Sequence, residues 1–175
     1  KKFRKEINAQ YGDKDKSPLK DKDREDFKKL DFFDIDTKYV VQAKLEWFEE
    51  DSVFEMKTTT ARLAEYRRSG KATFEIEGKE LELVFYQNVK GAANHLYKDH
   101  YFLPFKDNTN GGESYGGGRY IDLIIEDLKT EVQVNFNVAY NPYCAYNDKY
   151  SCPIVPSENY IDIEINAGVK APADH

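Results

Sequence analysis

The sequence predicts a mainly β fold, a single antiparallel β-sandwich or partly closed β-barrel with short N-terminal helices packed outside it. Three observations lead there. From Tyr39 onward apolar and polar residues alternate with a period of two, which sends one face of each strand to the core and the other to water. The links between these segments are too short for the crossovers that parallel strands require. The chain also has 13 Tyr and 11 Phe against one Trp and one Met, so the core is expected to be aromatic, as suits a pleated surface. With 175 residues it is one domain's worth, able to bury roughly two thirds of its unfolded surface. The expected division is a helical segment over residues 1–31 and an antiparallel β domain over 32–175.

The opening FRKEINAQY carries Phe3, Ile7 and Tyr11 at helical spacing. A second short helix is expected with Ser17 as N-cap and Pro18 at the first helical position. Its body is dense in Asp and Lys, with Leu19, Phe27 and Leu30 as the few apolar residues, so both helices read as a charged cover over one end of the sheet.

In YVVQAKLEWF, Tyr39, Val41, Ala43, Leu45 and Trp47 share the core face. EEDS then turns, and VFEMKT follows as a strand with Phe54 and Met56 inward. TFEIEGKELELVFY reads as a hairpin. A two-residue loop at Gly78 and Lys79 sets Ile76 opposite Leu81 and Phe74 opposite Leu83, and Gly at the first central position suits a type II′ turn. RYIDLII, EVQVNFNV and YIDIEIN are the remaining strands.

Two irregular segments interrupt the pattern. Residues 101–119 place five glycines among their last nine positions. Residues 135–160 combine five asparagines, five tyrosines, three prolines and both cysteines. Loops this long are uncommon in compact domains and are often functional.

Charge excludes some partners. A net charge of -6 and a pI of about 5.2 oppose polyanion binding, which rests on clustered Lys and Arg, so no nucleic-acid partner is expected. No apolar run approaches the roughly 18 residues of a membrane span. A chain beginning at Lys1 without Met reads as trimmed, its address segment upstream.

Cys144 and Cys152, with seven residues between them, are expected to form a disulfide that pins the AYNPYCAYNDKYSCP loop, with two reduced structural thiols as the alternative. Zinc would need two further ligands, and His95 and His100 are not spaced for it. A nucleophilic Cys144 would need a base that the sequence does not supply. DNTNGGE lacks the carboxylate that an EF-hand has at its twelfth position, where this chain has Gly118, and GGGR lacks the Lys-Ser/Thr of a phosphate loop. No metal and no cofactor are therefore expected.

Alternation sets Arg119, Ile121, Leu123 and Ile125 on one face and Tyr120, Asp122 and Ile124 on the other. In EVQVNFNV it sets Val132, Val134, Phe136 and Val138 against Gln133, Asn135 and Asn137. If Asp122 and Asn137 share a face of adjacent strands, a polar patch forms under both loops, either a network that holds them or a ligand pocket.

The run LPFKDNTNGGESYGGGRYIDL, followed by FNVAYNPYCAYNDKYSCPIVPSENYIDIEINAGVK, resembles the bacterial and archaeal family called domain of unknown function sixteen eighty-four, in its Bacteroidetes-type form. Weaker SPL and FF elements near Ser17 and Phe32 extend the likeness over most of the chain. Asn135 stands where the family pattern has Asp. The resemblance implies no established activity, and it implies a cell-envelope or periplasmic location, lipid-anchored through a segment upstream, with the cytoplasm as the alternative.

The preferred function is a small-molecule-binding module with a polar, tyrosine-rich pocket under the two loops. Its expected ligand-binding residues are Asp107, Tyr115, Arg119, Asp122, Asn137, Tyr140, Asn141 and Glu158, with Arg119 as the anchor for an anionic ligand. The alternatives are a hydrolase with Asp107, Asp122 or Glu158 as general base, and a structural envelope protein.

Overall fold

The structure, a computed structural model, describes residues 1–49 and 53–172. Among the described residues, one sheet is built from β1 (Val40–Trp47), β2 (Val53–Lys57), β3 (Leu63–Ile76), β4 (Lys79–Asn88), β5 (His100–Phe105), β6 (Arg119–Ile124) and β7 (Glu131–Asn135). Its order is β6-β5-β4-β3-β1-β7, with β2 on β3, and every ladder is antiparallel. The sheet curls into a half-barrel. Past β7 the chain reaches β6 from the other side, where Tyr120 and Tyr140 exchange backbone bonds of 2.9 and 3.0 Å. The partly closed barrel is thus the form the predicted fold takes.

Both faces of the sheet are covered. The inner face holds the main core, with Leu45, Phe74, Leu83, Phe85, Phe105, Ile121 and Phe136 among its side chains. The outer face holds a smaller cluster of Met56, Ala64, Tyr66, Val84 and Tyr86. β3 serves both through a bulge between Arg68 and Gly70. Before it Tyr66 opposes Asn88, and after it Ala72 opposes Leu83, so even-numbered side chains switch from the outer face to the inner one. Gly70 is required at the bend, because a Cβ there would stand 2.5 Å from the Phe85 ring and 2.6 Å from the Glu46 carbonyl.

A third cluster joins the N-terminus to the cysteine loop. In α1 (Lys2–Gly12), Ile7 and Tyr11 are buried against Ala145, Tyr146 and Val169, with the Tyr11 and Tyr146 rings edge to face at 5.3 Å. The second helix, α2 (Asp21–Glu25), starts later than expected. Ser17 accepts from the Leu19 amide at 3.1 Å, a local turn that uses the hydroxyl before it can cap a helix. Among the described residues no helix is long and apolar enough to cross a membrane.

The other differences also have physical causes. The hairpin turns at Glu77 and Gly78, with φ of 52° and 79°, and pairs Ile76 with Lys79 and Phe74 with Leu81. This is the I′ pattern, whose twist matches that of the strands; the expected register differed by two residues and so kept the same faces. β5 was hidden inside the supposed loop by Pro104, which pairs opposite Tyr120. β7 ends early because the Asn135 side chain accepts from the Asn137 amide at 3.0 Å and turns Phe136–Val138 into a 3₁₀ helix. YIDIEIN is not a strand: its backbone bonds go to Lys106, Asn108, Asp107 and Arg119, while Ile161 and Ile165 plug the core. Most of the EEDS turn, residues 50–52, lies outside the described residues.

Candidate functional site

On β6 the alternation holds, and it divides the expected site residues between two places. Ile121 and Leu123 face the core, and Tyr120 and Asp122 face outward. The strand register sets Phe102 of β5 opposite Asp122, and residues of the segment 140–153 line the cleft with them. Between the sheet and this segment lies a cleft of about 430 Å³, walled by Tyr66, Phe102, Tyr120, Tyr140 and Pro153 with Asp122 and His100 at its open side. That volume falls within the ordinary range of small-ligand sites.

The roof of the cleft is fastened. Ile154 donates to the Lys57 carbonyl at 2.8 Å, and Thr59 donates to the Cys152 carbonyl at 2.9 Å, which docks the roof on the end of β2. The Tyr120 hydroxyl donates to the Pro153 carbonyl and ties roof to floor. Phe102 and Tyr120 meet edge to face at 4.6 Å, and Tyr120 and Tyr140 do so at 5.9 Å. In such edge-to-face pairs the edge of one ring meets the face of the next, which stiffens the aromatic wall.

Asp122 is the charged group of the cleft. The Tyr140 hydroxyl donates to both of its oxygens, at 2.8 and 2.9 Å. Among the described residues no Lys or Arg pairs with it. Solvent reaches the side chain from the open side, but the surrounding rings strip much of its hydration. That dehydration raises the Asp122 pKa above the usual carboxylate value, against the pull of the Tyr140 hydrogen bond and the charge of His100. Burial and the adjacent Asp122 carboxylate push the Tyr140 hydroxyl well up, so it stays a donor.

Cys144 and Cys152 sit side by side as free thiols, and the Cys144 amide donates to the Cys152 sulfur at 3.2 Å. The Cys152 thiol stabilises a Cys144 thiolate, lowering Cys144 to about 6 and raising Cys152, so the pair's first proton leaves Cys144. Tyr115, from the glycine-rich loop, hydrogen-bonds Cys144. At this point the two long loops do meet.

The remaining expected residues lie elsewhere, which corrects their placement. Arg119 is on the core face and fully buried. It donates to Asp107 at 3.1 Å and to the carbonyls of Ile165, Ala167 and Val169. Asp107 in turn accepts from the Ile165 amide at 2.7 Å and the Thr109 hydroxyl at 2.8 Å. Burial pushes both charges toward neutrality, raising Asp107 and lowering Arg119, and their mutual attraction opposes it. Asn137 is not beside Asp122; it exchanges bonds of 2.9 and 3.1 Å with the backbone of Asp36. Asn141 donates to the Tyr146 hydroxyl and the Lys170 carbonyl. Glu158 is forked by Arg68 at 2.7 to 3.2 Å and accepts from the Tyr86 hydroxyl, and the Arg68 hydrogen bonds hold its pKa down.

Asp122 and Tyr140 are thus the expected residues that line the cleft. Tyr66, His100, Phe102 and Tyr120 were missed, although Tyr120 shares the Asp122 face in the alternation. A second hollow of about 670 Å³ lies between the N-terminal segment and the cysteine loop, where Lys20 and Asp148 approach to 3.4 Å. Its charges are of both signs, and Ala171 and Pro172 are part of its lining.

A family model described as "Protein of unknown function (DUF1684)" matches residues 25–170. The solution NMR structure of an uncharacterized protein of Haloarcula marismortui is similar over 98% of this chain and 92% of that one, with 31% identity and a TM-score of 0.76. No curated protein matches the chain. Nothing in these comparisons bears out the Bacteroidetes-type form.

Proposed function

The chain belongs to the DUF1684 family, whose description assigns no activity, and on that premise we propose that it is a small-molecule-binding module whose site is the tyrosine-walled cleft over β5 and β6. One observation carries the reading: a carboxylate with no ion-pair partner among the described residues stands in a cleft of ligand size whose roof is separately anchored. Its oxygens are held by one side chain, the Tyr140 hydroxyl, and its pKa is raised; perturbed carboxylates in clefts concentrate at functional sites.

The hydrolase reading is weaker. Asp107 is enclosed with Arg119 in the core and Glu158 is forked by Arg68, so of the three expected general bases Asp122 alone lines the cleft, and its oxygens are taken up by the Tyr140 hydroxyl. A location in the cell envelope stays part of the proposal, tested by fractionating cells that express the full gene.

A metabolite library read by thermal shift tests the module reading. Compounds that raise the melting temperature of the unmodified protein should lose that effect in His100→Trp, which fills the open side. If no compound in a library of cations, anions and neutral polar molecules stabilises the unmodified protein, the cleft is a structural feature and the reading fails.

A further inference from the structure

We propose that the cleft selects a small organic cation, an alkylated ammonium, seated between the Asp122 carboxylate and the faces of the Tyr66, Phe102, Tyr120 and Tyr140 rings. The inference rests on the binding reading above and narrows its ligand.

The chemistry of the walls is one-sided. An ammonium carrying methyl or methylene groups has a weakly hydrated charge on an apolar skin, and aromatic faces attract such a group electrostatically while giving up little water. Tyr66, Phe102, Tyr120 and Tyr140 all line the cleft, and their rings pack on one another edge to face, at 78° between Phe102 and Tyr120 and 88° between Tyr120 and Tyr140. Two of the hydroxyls are already engaged. That of Tyr120 donates to the Pro153 carbonyl and that of Tyr140 to Asp122, so these two residues present ring rather than donor. An anion would find Asp122 in its way.

The cationic groups nearby do not fill the position. Arg62 donates to the hydroxyl and carbonyl of Ser151, a residue of the lining, at 3.1 and 3.0 Å. His100 lines the cleft beside Asp122 without a hydrogen bond to it among the described contacts. A net charge of -6 adds a long-range field that favours a cation's approach.

Choline and its neutral isostere 3,3-dimethylbutan-1-ol differ in the charged nitrogen and are the probes. Each is titrated into the protein at pH 7.5 and followed by amide chemical shifts. Choline should shift the amides of Phe102, Tyr120, Asp122 and Tyr140 saturably, with at least tenfold higher affinity than the isostere. Asp122→Asn, which keeps an acceptor for Tyr140, should cut choline affinity at least tenfold while leaving the rest of the spectrum unchanged. Tyr140→Phe keeps the ring and should retain binding, whereas Tyr140→Leu should lose it.

Equal affinity for probe and isostere, or preference for 3,3-dimethylbutanoate, would overturn the cation and leave the module intact. So would a library in which only neutral or anionic compounds stabilise the protein. Failure of every compound overturns both readings together.

Discussion

Replacing Arg119 by Met separates the inner site from the cleft. The guanidinium has no solvent exposure and joins Asp107 to three carbonyls of the closing segment 165–169. Its loss strands a buried carboxylate, which retains the Ile165 amide and the Thr109 hydroxyl but has no counter-charge. Breaking a buried pair from one side costs about 3–5 kcal/mol. For a domain of this size, at about 2–4 °C per kcal/mol, the melting temperature should fall by roughly 6–20 °C. Arg119→Lys keeps the charge without the fork and should fall between this variant and the unmodified protein. Asp107→Leu combined with Arg119→Met should be less destabilised than the sum of the single changes, because no stranded charge is left. Calorimetric melts of the unmodified protein, the three single variants and the double variant measure this, and amide exchange at Ile165 and Val169 should quicken in the single variants. A loss under 1 kcal/mol for Arg119→Met, or strict additivity of the pair, would refute the account of this buried network.

Gly70→Ala should destabilise by about 1–3 kcal/mol in urea, since the added methyl meets the Phe85 ring and the Glu46 carbonyl within 2.6 Å and the carbonyl belongs to the paired strand. Glu77→Asn should raise stability despite losing the exposed contact with Lys38. It relaxes a residue with φ of 52°, where a non-glycine side chain is strained by roughly 1 kcal/mol, and a lower urea midpoint would contradict the I′ turn. Cys144 should alkylate faster than Cys152, with a rate that rises through a pH below that of an ordinary thiol, and a disulfide-exchange reagent should join the two within one chain. Mass spectrometry of native protein reads the result: equal rates would contradict the shared proton, and only mixed disulfides would contradict the pairing.

Local periodicity made part of this molecule legible before any coordinates. Val41, Ala43 and Leu45 in β1 and Ile121 and Leu123 in β6 announce their faces because a strand's period of two is a property of neighbours. The same rule sets Asp122 and Arg119 on opposite faces of the strand, but it does not stop Arg119 from being read as a ligand anchor although it shares the face of Ile121 and Leu123. Its partner Asp107 comes from the far side of the glycine-rich loop, a contact no periodicity encodes. The bulge beside Gly70 is invisible for a related reason: even positions stay apolar on both sides of it while the face they serve changes. YIDIEIN alternates like a strand, yet Arg119 and Asp107 take backbone bonds that a neighbouring strand would need. The cleft was only half legible because its floor includes β5, whose Pro104 disguised it as loop.

The central claim is that the tyrosine-walled cleft is where a small molecule binds. The most direct measurement maps amide chemical shifts while adding whichever library compound most raises the melting temperature. The account predicts saturable shifts gathered at Tyr66, Phe102, Tyr120, Asp122, Tyr140 and Cys152. Shifts gathered instead at Leu19, Phe27, Tyr146 and Lys170, around the larger hollow, would place the ligand there and contradict it.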